Sequence, residues 1–211
     1  MTDVAIRRAR GDARDLVSLV LVEAVGSSIT PFVPVPFVDD YLFARLLRRI
    51  ARKVVERAGQ RVDEPFAKAI VEGYVRAGAR GLGEKALAAA ARFVVRKVAV
   101  VLDVKKSHDV FGEAIAFALA LDVAVELEAV SFATASTVGG AIHRATESVG
   151  SAALEVITRA GRDAFRVGEA GESESSRASR VAEAIGKQVD LARGHLDHLM
   201  RYELARPSAP S

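Results

Sequence analysis

Cysteine is absent from the 211 residues, which excludes disulfides, thiolate metal sites and cysteine nucleophiles and fits a reducing compartment. Tryptophan is absent too, and aromatic residues make up only 6% of a chain that is 50% hydrophobic. A core built from Ala, Val, Leu and Ile follows, and it suits closely packed helices better than an aromatic-rich β-sandwich. Histidine occurs four times, and no Glu-x-x-His motif is present to build a di-metal carboxylate bundle. There is no Gly-x-Ser-x-Gly elbow, and Ser107-His108-Asp109 is only contiguous, so it cannot supply triad geometry. Residues 78–85 resemble a phosphate loop superficially, but Glu84 stands in the pattern and no strand precedes it. These absences leave no catalytic constellation, no metal and no cofactor to expect. The first 14 residues carry Asp3, Arg7, Arg8, Arg10, Asp12 and Arg14 without an apolar stretch, so a secretory signal is not expected.

Long charge-free runs are also scarce, with one exception. Residues 16–38 hold a single charge, Glu23, over 23 positions, enough to span a bilayer. Gly26, Ser27, Ser28 and Thr30 interrupt the run, together with three of the six prolines, Pro31, Pro34 and Pro36. A helix followed by an apolar, proline-rich loop is the expectation.

What is present is helical periodicity throughout. Helices are expected over about 3–25, closed by Gly26-Ser27-Ser28; from Asp39 or Asp40 to Ala58, stopped by Gly59; and from Asp63-Glu64-Pro65 to about Ala77. Further helices are expected over about 83–102, 109–129 and 141–166, with residues 103–107 a polar connection. Residues 168–176, rich in Gly, Glu and Ser, read as a flexible linker, followed by an amphipathic helix over 177–204 and a disordered tail over 205–211. The fold expected is therefore all-α: a compact bundle of about six helices over 1–167 plus the C-terminal helix.

Charge is distributed unevenly around a net +3. Residues 45–61 carry Arg45, Arg48, Arg49, Arg52, Lys53, Arg57 and Arg61 against Glu56 alone. Arg45, Arg48, Arg49, Arg52 and Lys53 flank an apolar stripe of Phe43, Leu46, Leu47, Ile50, Val54 and Val55. One reading is a basic amphipathic helix at an anionic membrane surface, where each basic group contributes roughly 1 kcal/mol. The other is a solvated face with surface salt bridges. Nucleic acid is not expected, since no aromatics interleave with the charges. Phe32, Val33, Val35 and Phe37 in the adjacent loop either dip into a membrane, dock a partner or cross the core.

Asp122 and Glu126 share a helix face with Arg92, Arg96 or Lys97 as expected partners. An enzyme would need carboxylates such as Glu113 and Asp122 to converge with a histidine across helices. His143 and Glu147 read as a surface pair. His195 and His198 share a face beside Asp197, but a metal site needs a third ligand. Val181, Ile185, Val189, Leu196 and Leu199 form a stripe on the last helix that docks on its own domain, on a second copy or on a protein partner.

Residues 37–42 (Phe-Val-Asp-Asp-Tyr-Leu) and 46–53 (Leu-Leu-Arg-Arg-Ile-Ala-Arg-Lys) resemble the bacterial EcsC family, as do 138–142 (Val-Gly-Gly-Ala-Ile) and 159–166 (Arg-Ala-Gly-Arg-Asp-Ala-Phe-Arg). The similarity runs over about residues 30–166. It implies a helical protein linked to membrane transport, with no catalytic residue to carry over. The combined expectation is a non-enzymatic, cytoplasmic protein acting peripherally at the inner face of a membrane or as a scaffold. The alternative is a helical binding module for a protein partner or an apolar small molecule.

Overall fold

The computed structural model describes residues 13–29, 38–80, 99–149, 159 and 174–206. Among the described residues every regular element is an α-helix: α1 (Ala13–Ile29), α2 (Val38–Arg57), α3 (Glu64–Arg80), α4 (Ala99–Glu126), α5 (Ala135–Val149) and α6 (Glu174–Ala205). The all-α class is as the sequence implies.

The centre is α4. Every side chain from position 114 to 125 is buried, Asp122 among them, as expected of a helix whose other positions there are all apolar. Around it pack α1, α2, α5 and α6. Leu16, Val20 and Ala24 of α1, Leu47, Ile50 and Val54 of α2, and Ile185, Val189 and Leu196 of α6 join Phe117, Leu119 and Leu121 in one cluster. Each large aliphatic or aromatic side chain fully buried there contributes about 1.5–3 kcal/mol. On the other side α3 and α5 form the most extensive helix pair, and α2 links α3 to the centre.

The α3–α5 pair is close because glycine lines it. A Cβ built on Gly73 would run into the backbone carbonyl of Ser136 and lie 2.8 Å from the Ser136 Cα. One built on Gly139 would run into the Ile70 carbonyl and lie 2.8 Å from the Tyr74 nitrogen. The two backbones touch where side chains would otherwise separate them.

Local signals explain most helix ends. Asp63 caps α3 by accepting the Phe66 N–H at 2.9 Å, with Pro65 in the first turn where its missing N–H costs nothing. Gly59, at φ 79°, closes α2 as the sequence suggests. Its N–H bonds the Glu56 carbonyl at 2.9 Å and the Gln60 N–H bonds Val55 at 3.3 Å, a Schellman closure. Glu128 ends α4 by the same pattern at φ 54°, without glycine.

Four boundaries differ from expectation. First, α1 continues through Gly26-Ser27-Ser28 to Ile29, with the Ser27 hydroxyl donating back to the Ala24 carbonyl at 2.6 Å and Gly26 lying against Leu46. Second, α4 runs unbroken through 103–107, where no Gly or Pro stands to stop it. Third, α5 begins at Ala135 rather than 141, after a turn in which the Ser131 N–H donates to Thr134 Oγ1 at 2.9 Å and the Thr134 N–H to Ser131 Oγ at 3.3 Å. Fourth, α6 begins at Glu174, within the segment expected as linker, and its stripe joins the common core. Residues 168–173 and 207–211 lie outside the described residues.

Candidate functional site

The basic helix α2 divides its cations between two tasks. Lys53 belongs to the fold: its Nζ donates to Glu23 Oε2 at 2.8 Å and to the Leu19 carbonyl at 2.9 Å. Glu23 is 7% exposed, so this ion pair ties α2 to α1 from beneath. With Gly26 against Leu46 further along, the two helices run antiparallel. Arg48 is half-buried and lies 3.9 Å from Glu64. Neither residue is a free surface charge, which narrows the five basic positions of the sequence reading.

The outward face keeps the other three. Tyr41, Arg45, Arg49 and Arg52 follow at intervals of four, four and three, one side of the helix, and all are exposed. Tyr41 shows 58% of its surface. Arg52 lies 3.9 Å from Glu56 and 3.8 Å from Glu64. Among the described residues no carboxylate pairs with Arg45 or Arg49. Like charges one turn apart cost roughly 0.2–0.5 kcal/mol in an isolated helix, so folding alone gives no reason for this arrangement. Tyr41 and Arg45 stand at the end of the α1–α2 pair from which residues 30–37 depart. Phe32, Val33, Val35 and Phe37 themselves lie outside the described residues.

The interior polar groups form structural junctions. The partners expected for Asp122 and Glu126, namely Arg92, Arg96 and Lys97, lie outside the described residues; among the described residues the two carboxylates meet cations of α6 and α2. Arg193 donates to Asp122 Oδ2 at 2.9 Å and also to Glu126, while Arg57 stands 3.6 Å from Asp122 Oδ1. Arg144 similarly pairs with the buried Glu203, joining α5 to α6.

Glu113 and His143 are joined through Tyr74. The Tyr74 hydroxyl donates to Glu113 Oε1 at 2.8 Å, and the Tyr74 ring stands edge-on to His143 and to Phe117 with centroids 5.1 Å apart in each case. Burial, then the Glu113 charge, pushes the Tyr74 hydroxyl well above its ordinary range, so it stays a proton donor. His143, expected at the surface, is partly exposed: its ring packs under Gly78, and Nδ1 is buried with no hydrogen-bond partner. Its Nε2 lies 3.9 Å from Glu147. Burial, against the pull of Glu147, holds the imidazole below its usual pKa, with Arg144 acting in the same direction as burial. This shift predicts an acid sensitivity. Stability that depends on neutral His143 is fully present above about pH 6.5, the value in the unfolded chain, and falls as pH drops below it. Urea midpoints at pH 7.5 and pH 5.5 should differ less in His143→Gln than in the parent chain. An equal difference in both would assign the acid sensitivity to other groups. Sequence spacing alone missed this cluster, because Tyr74, Glu113 and His143 lie on three helices.

On α6, Ile185, Val189 and Leu196 are fully buried and Leu199 packs against the core, so the apolar stripe is occupied within the chain. Val181 is helical, and its side chain lies outside the described set. His195 and His198 are exposed on the far side. Asp197 is engaged by Arg201 at 2.9 Å, which with the hydrogen bond as first cause holds its carboxyl below the usual range. Among the described residues no three metal-ligating side chains come together. None of the described helices is long and apolar enough to cross a membrane.

Comparison with protein families, with curated proteins and with solved structures finds no match to this chain.

Proposed function

We propose that this helical protein works without catalysis at an anionic membrane surface, which it meets from the cytoplasmic side through the outer face of α2. The observation that carries this reading is the pair Arg45 and Arg49, exposed and without a carboxylate among the described residues, in line with the exposed Tyr41. Arginine attracts lipid phosphate, and tyrosine favours the headgroup level, where its ring is half apolar and its hydroxyl stays wet. The apolar residues Phe32, Val33, Val35 and Phe37 follow α1 directly in sequence and supply the apolar half of such a contact. The EcsC-like segments 37–42 and 46–53 fall on or beside the same helix and support a membrane-linked role. Assembly with a partner through the α6 stripe is less favoured, since Ile185, Val189 and Leu196 would first have to leave the core.

The test is co-sedimentation with vesicles of phosphatidylcholine alone and of phosphatidylcholine with phosphatidylglycerol, at low and physiological salt. Salt-sensitive binding to the anionic vesicles alone is expected. Each basic group contributes roughly 1 kcal/mol, about fivefold, so Arg45→Glu with Arg49→Glu should weaken binding by more than about 25-fold while leaving thermal unfolding unchanged. Unaltered binding by that variant would remove α2 as the contact surface.

A further inference from the structure

The cations of α2 are not equally available, and the difference lies in the carboxylates beside them. Lys53 is held by a buried carboxylate at hydrogen-bond distance. Arg48 and Arg52 are held by Glu64 at 3.9 and 3.8 Å, and Arg52 also by Glu56 at 3.9 Å. These three contacts lie beyond hydrogen-bond length, and the two carboxylate side chains are 59% and 49% exposed. Exposed pairs of this kind are weak and exchange readily with ions in solution.

Resting on the membrane reading above, we infer that Glu64 and Glu56 are built-in competitors of the anionic surface, occupying Arg48 and Arg52 until lipid phosphates displace them. Contact then begins at Arg45 and Arg49 and extends to Arg52 and Arg48. Displacement costs little at Glu64. As the first residue of α3 it keeps a favourable place beside that helix's N-terminal N–H groups after the arginines turn away. The carboxylates thus set a threshold of surface charge density: a weakly anionic bilayer meets two cations and a strongly anionic one meets four.

The experiment uses the full chain and the same phosphatidylglycerol vesicles, with the anionic fraction stepped upward. Glu64→Gln with Glu56→Gln should bind about fivefold tighter and reach half-binding at a lower anionic fraction. Glu72→Gln makes the same kind of charge change two turns further along α3, where the carboxylate pairs with Lys68; it should shift binding by less than about twofold. Thermal unfolding confirms that each variant is folded. If the parent chain binds and the Glu64/Glu56 variant binds no tighter, or if Glu72→Gln matches it, the competition is overturned and the membrane reading stands. If neither the parent nor the double variant binds, the membrane reading fails and this inference falls with it.

Discussion

Replacing Gly139 with leucine is expected to abolish the native fold, and replacing it with alanine to cost about 3 kcal/mol. The Cβ of alanine already meets the backbone of Ile70 and Tyr74, and a backbone cannot step aside as the tip of a side chain can. The helices must part, and every contact along the α3–α5 pair loosens with them, including the approach of His143 to Tyr74. Gly73→Ala should behave similarly against Ser136. Because both changes force the same separation, their costs together should be less than additive. Gly194 provides the contrast. It is exposed in α6 with nothing within 4 Å of a built Cβ, so Gly194→Ala should stabilise by roughly 0.5–1 kcal/mol through helix propensity alone. Urea denaturation of the three single variants decides the matter. A Gly139→Ala protein as stable as its parent would mean the two backbones are further apart than described.

The second large effect is expected at Arg193. Its guanidinium serves Asp122 and Glu126, carboxylates one turn apart on α4 with side chains 11% and 22% exposed. Arg193→Met should cost about 3 kcal/mol, because it leaves two like charges facing an apolar neighbour, with Arg57 still 3.6 Å from Asp122. Adding Asp122→Asn and Glu126→Gln should recover most of that loss, since the penalty belongs to the stranded charges more than to the missing contact. If the triple variant is no more stable than Arg193→Met, the loss stems from packing of the arginine stem instead.

How far these features were legible in the sequence depends on whether their cause is local. The start of α3 was readable because Asp63 and Pro65 act within their own turn, and the end of α2 was readable at Gly59. The all-α class followed from periodicity. Gly139 and Gly140 fall outside the helices expected from the sequence, which resume at about 141, yet here Gly139 serves a neighbour's backbone, a cause written in α3 and invisible from α5 alone. The 103–107 segment read as a break on polarity, although Lys105 and Lys106 are good helix formers and nothing there forbids a helix. Among the basic residues, all five of Arg45, Arg48, Arg49, Arg52 and Lys53 looked equivalent by spacing. Only the fold reveals that Glu23, thirty positions earlier, holds Lys53 and that Glu64 approaches Arg48 and Arg52.

The packing of α6 against α1 also governs the order in which this core closes during synthesis. The apolar face of α1 emerges from the ribosome roughly 140 residues ahead of the helix that completes its cover, and closing so long a loop is entropically costly. α2, which pairs with α1 nearby, and α4 reach that face first, and among the described helices α6 is the last to reach it. Conversion to the finished bundle is therefore a late event that depends on the last of the described helices, and a ribosome stalled before Glu174 would hold an adhesive, protease-sensitive intermediate.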